Sequence, residues 1–157
     1  MSHLVLFVCT GNICRSPMAQ ALFNAQAQRD GDSDQYIAQS AGTWANDEQP
    51  ASAFAVKAMS KRQLDLSCHH ARTVDRALLE QAAVVIVMTQ SHAEALAAEF
   101  PRYRKKIHLM SELQSATFDI VDPIGGPLIE YELCAQQLEK LITLGYAKIK
   151  TWVSNPN

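Results

Sequence analysis

The chain has 157 residues, of which 48% are apolar and 19% are charged, a composition that suits one globular domain and excludes a disordered chain. Its net charge of −2 at pH 7 gives no basic surface for nucleic acid. No apolar run approaches the ~20 residues needed to span a bilayer, and the first residues lack the basic flank and cleavage pattern of a secretory signal. We therefore expect residues 1–157 to form a single cytoplasmic domain with no nucleic-acid or membrane partner.

Short apolar stretches alternate with segments of helical periodicity along the chain. Strands are predicted over residues 4–8, 36–39, 84–88 and 107–110. Apolar residues at helical spacing predict four helices, marked by Met18, Leu22 and Ala25, by Ala55, Ala58 and Met59, by Ala93, Leu96, Ala97 and Phe100, and by Leu138, Leu141, Ile142, Ile149 and Trp152. Strands that alternate with helices indicate right-handed βαβ units. The predicted fold is α/β, with three α/β/α layers around a four-stranded parallel sheet.

The four cysteines, at positions 9, 14, 68 and 134, predict reduced thiols. They form no CxxC pair and show no His spacing typical of zinc. His69 and His70 are adjacent, so on an extended segment they point to opposite faces and do not chelate together. We therefore expect neither a metal nor a cofactor. His92 is expected to be solvated on a helix flank, and the basic cluster at 102–106 is expected to form a solvated turn after Pro101 ends its helix.

Residues 9–17 lie where ligands bind in parallel sheets, beyond the carboxyl end of the first strand. Five residues separate Cys9 from Arg15, Gly11 and Asn12 tolerate positive φ, and a Ser-Pro pair is typical of a helix start. No GKS, GKT or GxGxxG follows, which excludes an ATP-type P-loop and a dinucleotide fingerprint. Taken singly, the residues also fit a core cysteine and a helix-capping arginine; the whole string favours a phosphate-binding loop after the first strand.

Such a loop can hold a phosphate and activate a sulfur nucleophile. Its backbone N–H groups can curl inward around an anion, which the dipole of the following helix also favours. Arg15 can bind two phosphate oxygens in fork geometry. The same field favours a thiolate at Cys9, poised for in-line displacement and a phosphocysteine intermediate. Ser16 is expected to hydrogen-bond the thiolate and to cap the helix.

Residues 5–19 read VLFVCTGNICRSPMA, which closely resembles the signature of the low-molecular-weight protein tyrosine phosphatases. The resemblance continues in the family's order through residues 40–43, 66–72, 87–88 and 122–123. It implies that Cys9 is the nucleophile, Arg15 the phosphate clamp, and His69 a structural residue. It also implies a substrate-binding loop with supporting Ser40, the loop comprising Thr10, Gly11, Asn12, Ile13, Cys14 and Ser16. Expected partners are phosphorylated proteins or peptides, with phosphate or vanadate as inhibiting anion mimics.

The resemblance identifies Asp122 as the general acid. The chemistry requires one, because the leaving oxygen takes a proton as the P–O bond breaks and a water must then be activated against the phosphocysteine. An Asp before a Pro is often only a turn former, and Asp119 is a competing candidate. The family spacing to Pro123 favours Asp122.

Two features bear on the substrate. Tyrosine-specific relatives often carry two aromatic residues after the Asp-Pro pair, whereas this chain has Ile124 followed by two glycines, a pattern closer to bacterial protein arginine phosphatases. Ile13 points the other way, because the arginine-selective relatives have threonine there and an apolar wall favours a phenyl ring. Trp44 is a candidate pocket wall or an aromatic at the core edge. We expect phosphotyrosine, with phosphoarginine as the alternative.

Three further hypotheses remain open. Arsenate reductase shares the scaffold, but it needs relay cysteines; Cys68 is one candidate, and residues 82–100 contain none. A non-enzymatic phosphocarrier would preserve the phosphocysteine, and so would not need Arg15 and Asp122 together. A Cys9–Cys14 disulfide would protect the nucleophile under peroxide, although Cys14 also fits a small buried apolar residue.

Overall fold

The computed structural model describes residues 2–156, and these contain a four-stranded sheet. Its strands are β1 (His3–Cys9), β2 (Tyr36–Gly42), β3 (Ala82–Val87) and β4 (Ile107–Leu109). They lie in the order β2-β1-β3-β4, and every neighbouring pair is parallel. The predicted α/β fold around a four-stranded parallel sheet is confirmed.

Helices connect the strands and cover both faces of the sheet. The α-helices of the described residues are α1 (Arg15–Arg29), α2 (Ala53–Ser60), α3 (Arg76–Gln81), α4 (Gln90–Glu99) and α5 (Leu128–Ser154), and 3₁₀ helices cover Pro101–Lys106 and Met110–Gln114. Helices α1, α2, α4 and α5 correspond to the four predicted from periodicity. Within residues 2–156, no helix combines the length and the apolar character needed to cross a membrane.

The side chains of β1 alternate between two apolar clusters because successive residues of a strand point to opposite faces. Val5 and Phe7 belong to the cluster formed with α1, α2 and α5. Leu6 and Val8 belong to the cluster formed with α3 and α4. The sheet is therefore the middle of three layers, as the sequence predicts, and its central strand is apolar on both sides.

The loop after β1 leaves the sheet where the strand order reverses. The chain passes from β1 to β2 on one side and later returns to β3 on the other, and such switch points form ligand crevices at the carboxyl ends of the strands. Gly42 of β2 pairs with Cys9, and a side chain at Gly42 would collide with the carbonyl oxygen of Thr10. Glycine thus lets β2 lie directly against the loop, where the Thr43 N–H donates to the Cys9 carbonyl at 2.9 Å.

Among the α-helices and strands, α3 and β2 differ most from the sequence prediction. Helix α3 has six residues, too short for periodicity to reveal, and its N-terminus is capped by Asp75, whose carboxylate accepts from the Leu78 N–H at 2.8 Å. Strand β2 continues past the predicted end at Gln39 to Gly42, because its last residues remain paired with β1.

The basic cluster also differs from the expected solvated turn. Pro101 ends α4 as predicted, but it opens a 3₁₀ helix over Pro101–Lys106. The ammonium of Lys106 donates to the carbonyl oxygens of Leu79 and Ala82 at 2.6 and 2.7 Å. These are carbonyls at the end of α3, which a cation stabilises, so one member of the cluster is a structural residue.

Candidate active site

A pocket of about 200 Å³ opens at the carboxyl end of β1. Its walls come from two segments far apart in sequence, the loop after β1 with the start of α1 and the loop that precedes α5. Eight residues line it: Cys9, Thr10, Gly11, Ile13, Cys14, Arg15, Asp122 and Ile124. All eight are among the site residues that the sequence predicts, and the fold brings them together.

The remaining predicted site residues lie outside this lining. Asn12, Ser16 and Ser40 are buried behind the loop, where they shape it instead of facing the pocket. Trp44 is held beside the loop by its backbone N–H, which donates to the Thr10 carbonyl at 3.0 Å, while its side chain is 84% exposed. The ring therefore stands in solvent next to the pocket and not in its wall.

Cys9 ends β1 with its side chain buried at the pocket. Its Sγ lies 2.9 Å from Oγ of Ser16, which is the hydrogen bond that the sequence predicts. The expected capping role of Ser16 is wrong: α1 begins at Arg15, and the Ser16 hydroxyl is directed to Cys9 and to the carbonyl of Ala41, 3.3 Å away. The Ser16 hydroxyl is thus engaged by Cys9 and Ala41 and does not cap the helix.

Asn12 fixes the conformation of the loop through its backbone and its side chain. It adopts a left-handed conformation with φ of 57°, which asparagine accepts more readily than most residues; Gly11 is not among the residues of positive φ. The Asn12 side chain is fully buried. Its amide nitrogen donates to Ser16 Oγ at 2.8 Å and to Ser40 Oγ at 3.0 Å, and its amide oxygen accepts from the Arg72 N–H at 3.0 Å.

This network limits the acceptors that the Ser16 hydroxyl hydrogen can reach. Because Ser16 Oγ accepts from the Asn12 amide, its own hydrogen is left to donate either to the Cys9 sulfur or to the more distant Ala41 carbonyl. The sulfur is the nearer of these two acceptors, at 2.9 Å from Ser16 Oγ against 3.3 Å for the carbonyl. The network therefore positions the Ser16 hydroxyl to donate a hydrogen bond to the Cys9 sulfur.

The backbone of the loop supplies anion-binding donors. Within residues 2–156, the N–H groups of Gly11, Asn12, Ile13 and Cys14 donate to no protein acceptor. They are consecutive and lie directly before the N-terminus of α1, a position that favours binding of a phosphate anion. The loop backbone is also fixed from outside, because the His69 ring donates from Nε2 to the Asn12 carbonyl at 2.6 Å.

Arg15 brings a buried positive charge to the pocket. Its guanidinium is 4% exposed and is oriented by a 2.8 Å hydrogen bond from Nη1 to the carbonyl of Ile120. Nη2 lies 3.3 Å from Oδ2 of Asp122 and 3.5 Å from the hydroxyl of Thr10. Nε is buried without a partner in the described part of the chain. The guanidinium therefore retains donors for an anion in the pocket.

Asp122 and Asp119 have clearly different positions. The Asp122 carboxylate lies at the pocket mouth, 39% exposed, with Oδ1 accepting the Ile124 N–H at 3.1 Å. It therefore forms the turn that is usual before proline while keeping Oδ2 at Arg15. Asp119 instead accepts the N–H of Gln90 at the start of α4, at 2.8 Å. The geometry favours Asp122 over its competitor.

His92 contradicts the expectation of a solvated helix flank. It is 5% exposed, and its Nε2 lies 2.8 Å from the hydroxyl of Thr10. Burial, and secondarily the positive charge of Arg15, lowers the pKa of His92 to about 4, so the ring is neutral near pH 7. Its position could have been inferred from topology, because α4 starts at the carboxyl end of β3, beside the loop.

Cys14 and Cys68 have hydrogen-bond partners and positions that differ from those of Cys9. Burial raises the pKa of the Cys14 thiol, which is held by the hydroxyls of Ser52 at 3.3 Å and Tyr131 at 3.7 Å. Cys68 is exposed and lines a separate groove with His69, behind the loop. The position of Cys68 gives no support to the relay of cysteines that an arsenate reductase needs. Among residues 2–156 no cluster of three potential metal ligands occurs either.

Substitutions of Asn12 test the importance of its network for stability. We expect Asn12→Gly, which keeps the left-handed backbone but removes the side chain, to lower the free energy of unfolding by about 2 kcal/mol. Asn12→Ala should lower it by about 3 kcal/mol, because it adds left-handed strain of roughly 1 kcal/mol. Urea unfolding of the three proteins measures both steps. Unchanged stability in Asn12→Gly would show that the hydrogen bonds are energetically neutral.

Comparison with known proteins assigns this geometry to a family. The sequence model described as "Low molecular weight phosphotyrosine protein phosphatase" matches residues 4–153. The chain is 37% identical over 139 residues to a protein-arginine-phosphatase of Bacillus subtilis (strain 168), covering 88% of this chain and 91% of that protein.

Solved structures agree with the sequence match. The low molecular weight protein tyrosine phosphatase from T. tengcongensis superposes with a TM-score of 0.89 at 39% identity, over 94% of this chain and 99% of the other. The arginine phosphatase YwlE, as a cysteine-to-serine mutant with a phosphorylated active site serine, superposes with a TM-score of 0.89 at 34% identity, over 94% and 95% of the two chains.

Proposed function

The chain belongs to the low molecular weight phosphotyrosine protein phosphatase family and is a phosphoric monoester hydrolase, and from this premise we propose that it hydrolyses phosphotyrosine in proteins through a phosphocysteine intermediate. The observation that carries the proposal is the Cys9 sulfur in one pocket with the buried guanidinium of Arg15. Ser16 and the loop amides complete the site. These groups suit a phosphate held in line with a sulfur nucleophile.

In the first step the Cys9 thiolate attacks phosphorus. The S–P bond forms as the P–O bond to the leaving group breaks, and Asp122, entering as the carboxylic acid, protonates the leaving phenoxide oxygen. Arg15 and the loop amides bind the three equatorial phosphoryl oxygens, where charge is spread in the transition state. When phosphate binds, the guanidinium exchanges its contact with Asp122 for these oxygens, which frees the carboxyl group to act.

In the second step water replaces the sulfur. The Asp122 carboxylate takes a proton from a water molecule, whose oxygen attacks phosphorus while the S–P bond breaks. Phosphate leaves, Cys9 returns as the thiolate, and Asp122 is again the acid. The Ser16 hydroxyl, 2.9 Å from the sulfur, stabilises the thiolate as leaving group in this step and as nucleophile in the first.

A leaving-group series tests Asp122. We expect Asp122→Asn to slow hydrolysis of aryl phosphates with poor leaving groups by about 10²-fold or more, and those with good leaving groups far less, because a weakly basic phenoxide departs without a proton. The measurement is kcat/KM against the phenol pKa. Asp119→Asn is the matched control, since Asp119 is engaged by the Gln90 N–H. Equal slowing across the series would remove Asp122 as the acid.

The pocket mouth favours an aromatic substrate. Ile13 and Ile124 line it, and two aliphatic side chains provide an apolar wall that a phenyl ring can bury but a guanidinium cannot exploit. Phosphoarginine is a second candidate because of two specific observations. The glycines after Ile124 replace the aromatics of tyrosine-specific relatives, and a protein-arginine-phosphatase is 37% identical.

The two substrates can be separated directly. Matched peptides carrying phosphotyrosine or phosphoarginine are compared by phosphate release in the wild type and in Ile13→Thr. We expect a higher kcat/KM for phosphotyrosine in the wild type, and a shift toward phosphoarginine in Ile13→Thr, whose hydroxyl can accept a guanidinium hydrogen bond. A wild-type preference for phosphoarginine would overturn the proposed substrate while leaving the mechanism in place.

The chemistry of a thiolate nucleophile also bears on the cellular location of the protein. We propose that residues 1–157 act as a single phosphatase domain in the cytoplasm, where a thiolate nucleophile is kept reduced; the unpaired state of Cys9, Cys14, Cys68 and Cys134 supports this. The substrates are phosphorylated proteins or peptides, and phosphate and vanadate inhibit by occupying the same loop. A Cys9–Cys14 disulfide remains a hypothesis, which mass spectrometry after mild peroxide would test.

A further inference from the structure

An apolar groove lies beside the catalytic pocket, between the loop that carries Asp122 and helix α5. It has a volume of about 250 Å³, and its lining residues are Val121, Pro123, Glu130, Leu133, Cys134 and Gln137. Val121 is 78% exposed and Leu133 is 56% exposed. Large aliphatic side chains clustered in a concave surface mark an interaction site more often than scattered ones do.

The groove and the catalytic pocket share one wall. Asp122 lines the pocket, while its two neighbours, Val121 and Pro123, line the groove. Ile124, 52% exposed, returns to the pocket side. An extended polypeptide advances about 3.3 Å per residue, so the residues that flank a phosphorylated residue in the pocket extend over the neighbouring surface, of which this wall is a part.

We propose that this groove binds an apolar side chain of the phosphorylated polypeptide, one or two residues from the phosphorylated residue. The inference rests on the proposed function and extends it from the phosphate to the flanking sequence. Burial of the flanking side chain against Val121 and Leu133 supplies binding free energy in proportion to the apolar area removed from water. The site thereby selects among phosphoproteins that present the same phosphorylated residue.

The chemistry of the groove favours an apolar occupant over an acidic one. Burial raises the pKa of Cys134 to about 12, so this thiol presents a neutral surface. The charged residue in the lining is Glu130, whose carboxylate repels acidic side chains. A second copy of the chain is a weaker occupant, because a few partly exposed aliphatic residues offer less than the ~800 Å² per partner of a standard interface.

Phosphotyrosine peptides that differ at one flanking position test the groove. In the wild type we expect kcat/KM to be about tenfold higher with leucine than with serine at one position within two residues of the phosphotyrosine. Leu133→Ser should reduce this ratio to about twofold, and Leu133→Met should restore most of it. Leu144→Ser is the matched control, since Leu144 is 62% exposed on the same helix but about 16 Å further along it.

Hydrolysis of a small aryl phosphate, which does not reach the groove, should be unchanged in all three variants. Equal turnover of leucine and serine peptides at every position, with normal aryl phosphatase activity, would overturn the groove but not the phosphatase. Failure to hydrolyse any phosphopeptide would instead overturn the proposed function. Sedimentation velocity completes the test by measuring the oligomeric state of the wild type and of Leu133→Ser. If the wild type is a dimer that dissociates in Leu133→Ser while peptide selectivity is unchanged, the groove binds a second copy of the chain and the proposal is refuted.

Discussion

Cys9→Ser is expected to reduce kcat/KM by about 10⁴-fold or more while leaving inorganic phosphate binding nearly intact. The hydroxyl is a far weaker nucleophile than a thiolate. In the proposed site the anion is bound by Arg15 and by the amides of residues 11–14, which the substitution does not change. Steady-state hydrolysis of an aryl phosphate gives the loss of turnover. Calorimetric titration with phosphate or vanadate gives the retained affinity.

A serine at position 9 also offers a trap for the intermediate. If it attacks phosphorus slowly, its phosphate ester hydrolyses more slowly still, because an alkoxide is a poorer leaving group than a thiolate. We expect a gain of one phosphoryl group in the mass of Cys9→Ser after long incubation with substrate.

Cys68→Ser is the matched control for the loss of activity. Cys68 is exposed and lies outside the pocket, so its substitution should leave turnover near that of the wild type. Comparable loss in Cys68→Ser, or retained turnover in Cys9→Ser, would show that Cys9 is not the nucleophile. The two variants therefore separate the proposed mechanism from a relay between distant thiols.

Local patterns explain why much of the site could be predicted. The loop from Cys9 to Arg15 is contiguous, and its position after an apolar strand indicates the sheet edge where it lies. The sequence shows that a left-handed residue of the loop is Gly11 or Asn12, because both tolerate a positive φ. It does not show which of the two adopts that conformation. The hydrogen bonds of Asn12 to Ser40 and Arg72 decide that choice, and they form across the fold.

Long-range contacts are the part that sequence patterns missed. The Ile120 carbonyl that orients Arg15 is 105 residues away in sequence. Every residue has a backbone carbonyl, so the sequence cannot show which one accepts this hydrogen bond. His92 has the spacing of an ordinary helix flank, and only the arrangement of β1 beside β3 brings it to Thr10. Trp44 was ambiguous for a similar reason, because an aromatic in a loop gives no sign of whether its ring faces the pocket or solvent.

In the proposed mechanism, the ion pair between Arg15 and Asp122 connects phosphate binding to acid catalysis. The guanidinium is almost fully buried and is oriented by the Ile120 carbonyl, whereas the carboxylate is 39% exposed at the pocket mouth. We propose that a bound phosphate replaces the carboxylate at the guanidinium, because it is a better-matched bidentate partner. Asp122 is then free to meet the leaving oxygen, which makes the acid available mainly when a phosphate occupies the loop.

Arg15→Ala is expected to abolish both phosphate binding and turnover, with kcat/KM reduced by about 10⁴-fold. Arg15→Lys should still lose about 10²-fold or more, because an ammonium keeps the charge but cannot form two parallel hydrogen bonds to a phosphoryl group. The difference between the two variants separates the contribution of the two parallel hydrogen bonds from the contribution of the positive charge. Aryl phosphate kinetics and phosphate inhibition constants provide both quantities, and thermal unfolding checks that each variant remains folded.

The buried environment of Arg15 makes this comparison informative. Alanine leaves the Ile120 carbonyl, which accepts from Nη1 at 2.8 Å, without its donor, so some loss of stability accompanies the loss of activity. Arg62→Lys provides a matched arginine control, since Arg62 pairs with Glu139 on the surface and should be neutral for activity. A folded Arg15→Ala protein with wild-type phosphate affinity would place the anion clamp on another residue. Loss of turnover alone, with binding retained, would limit Arg15 to stabilising the transition state.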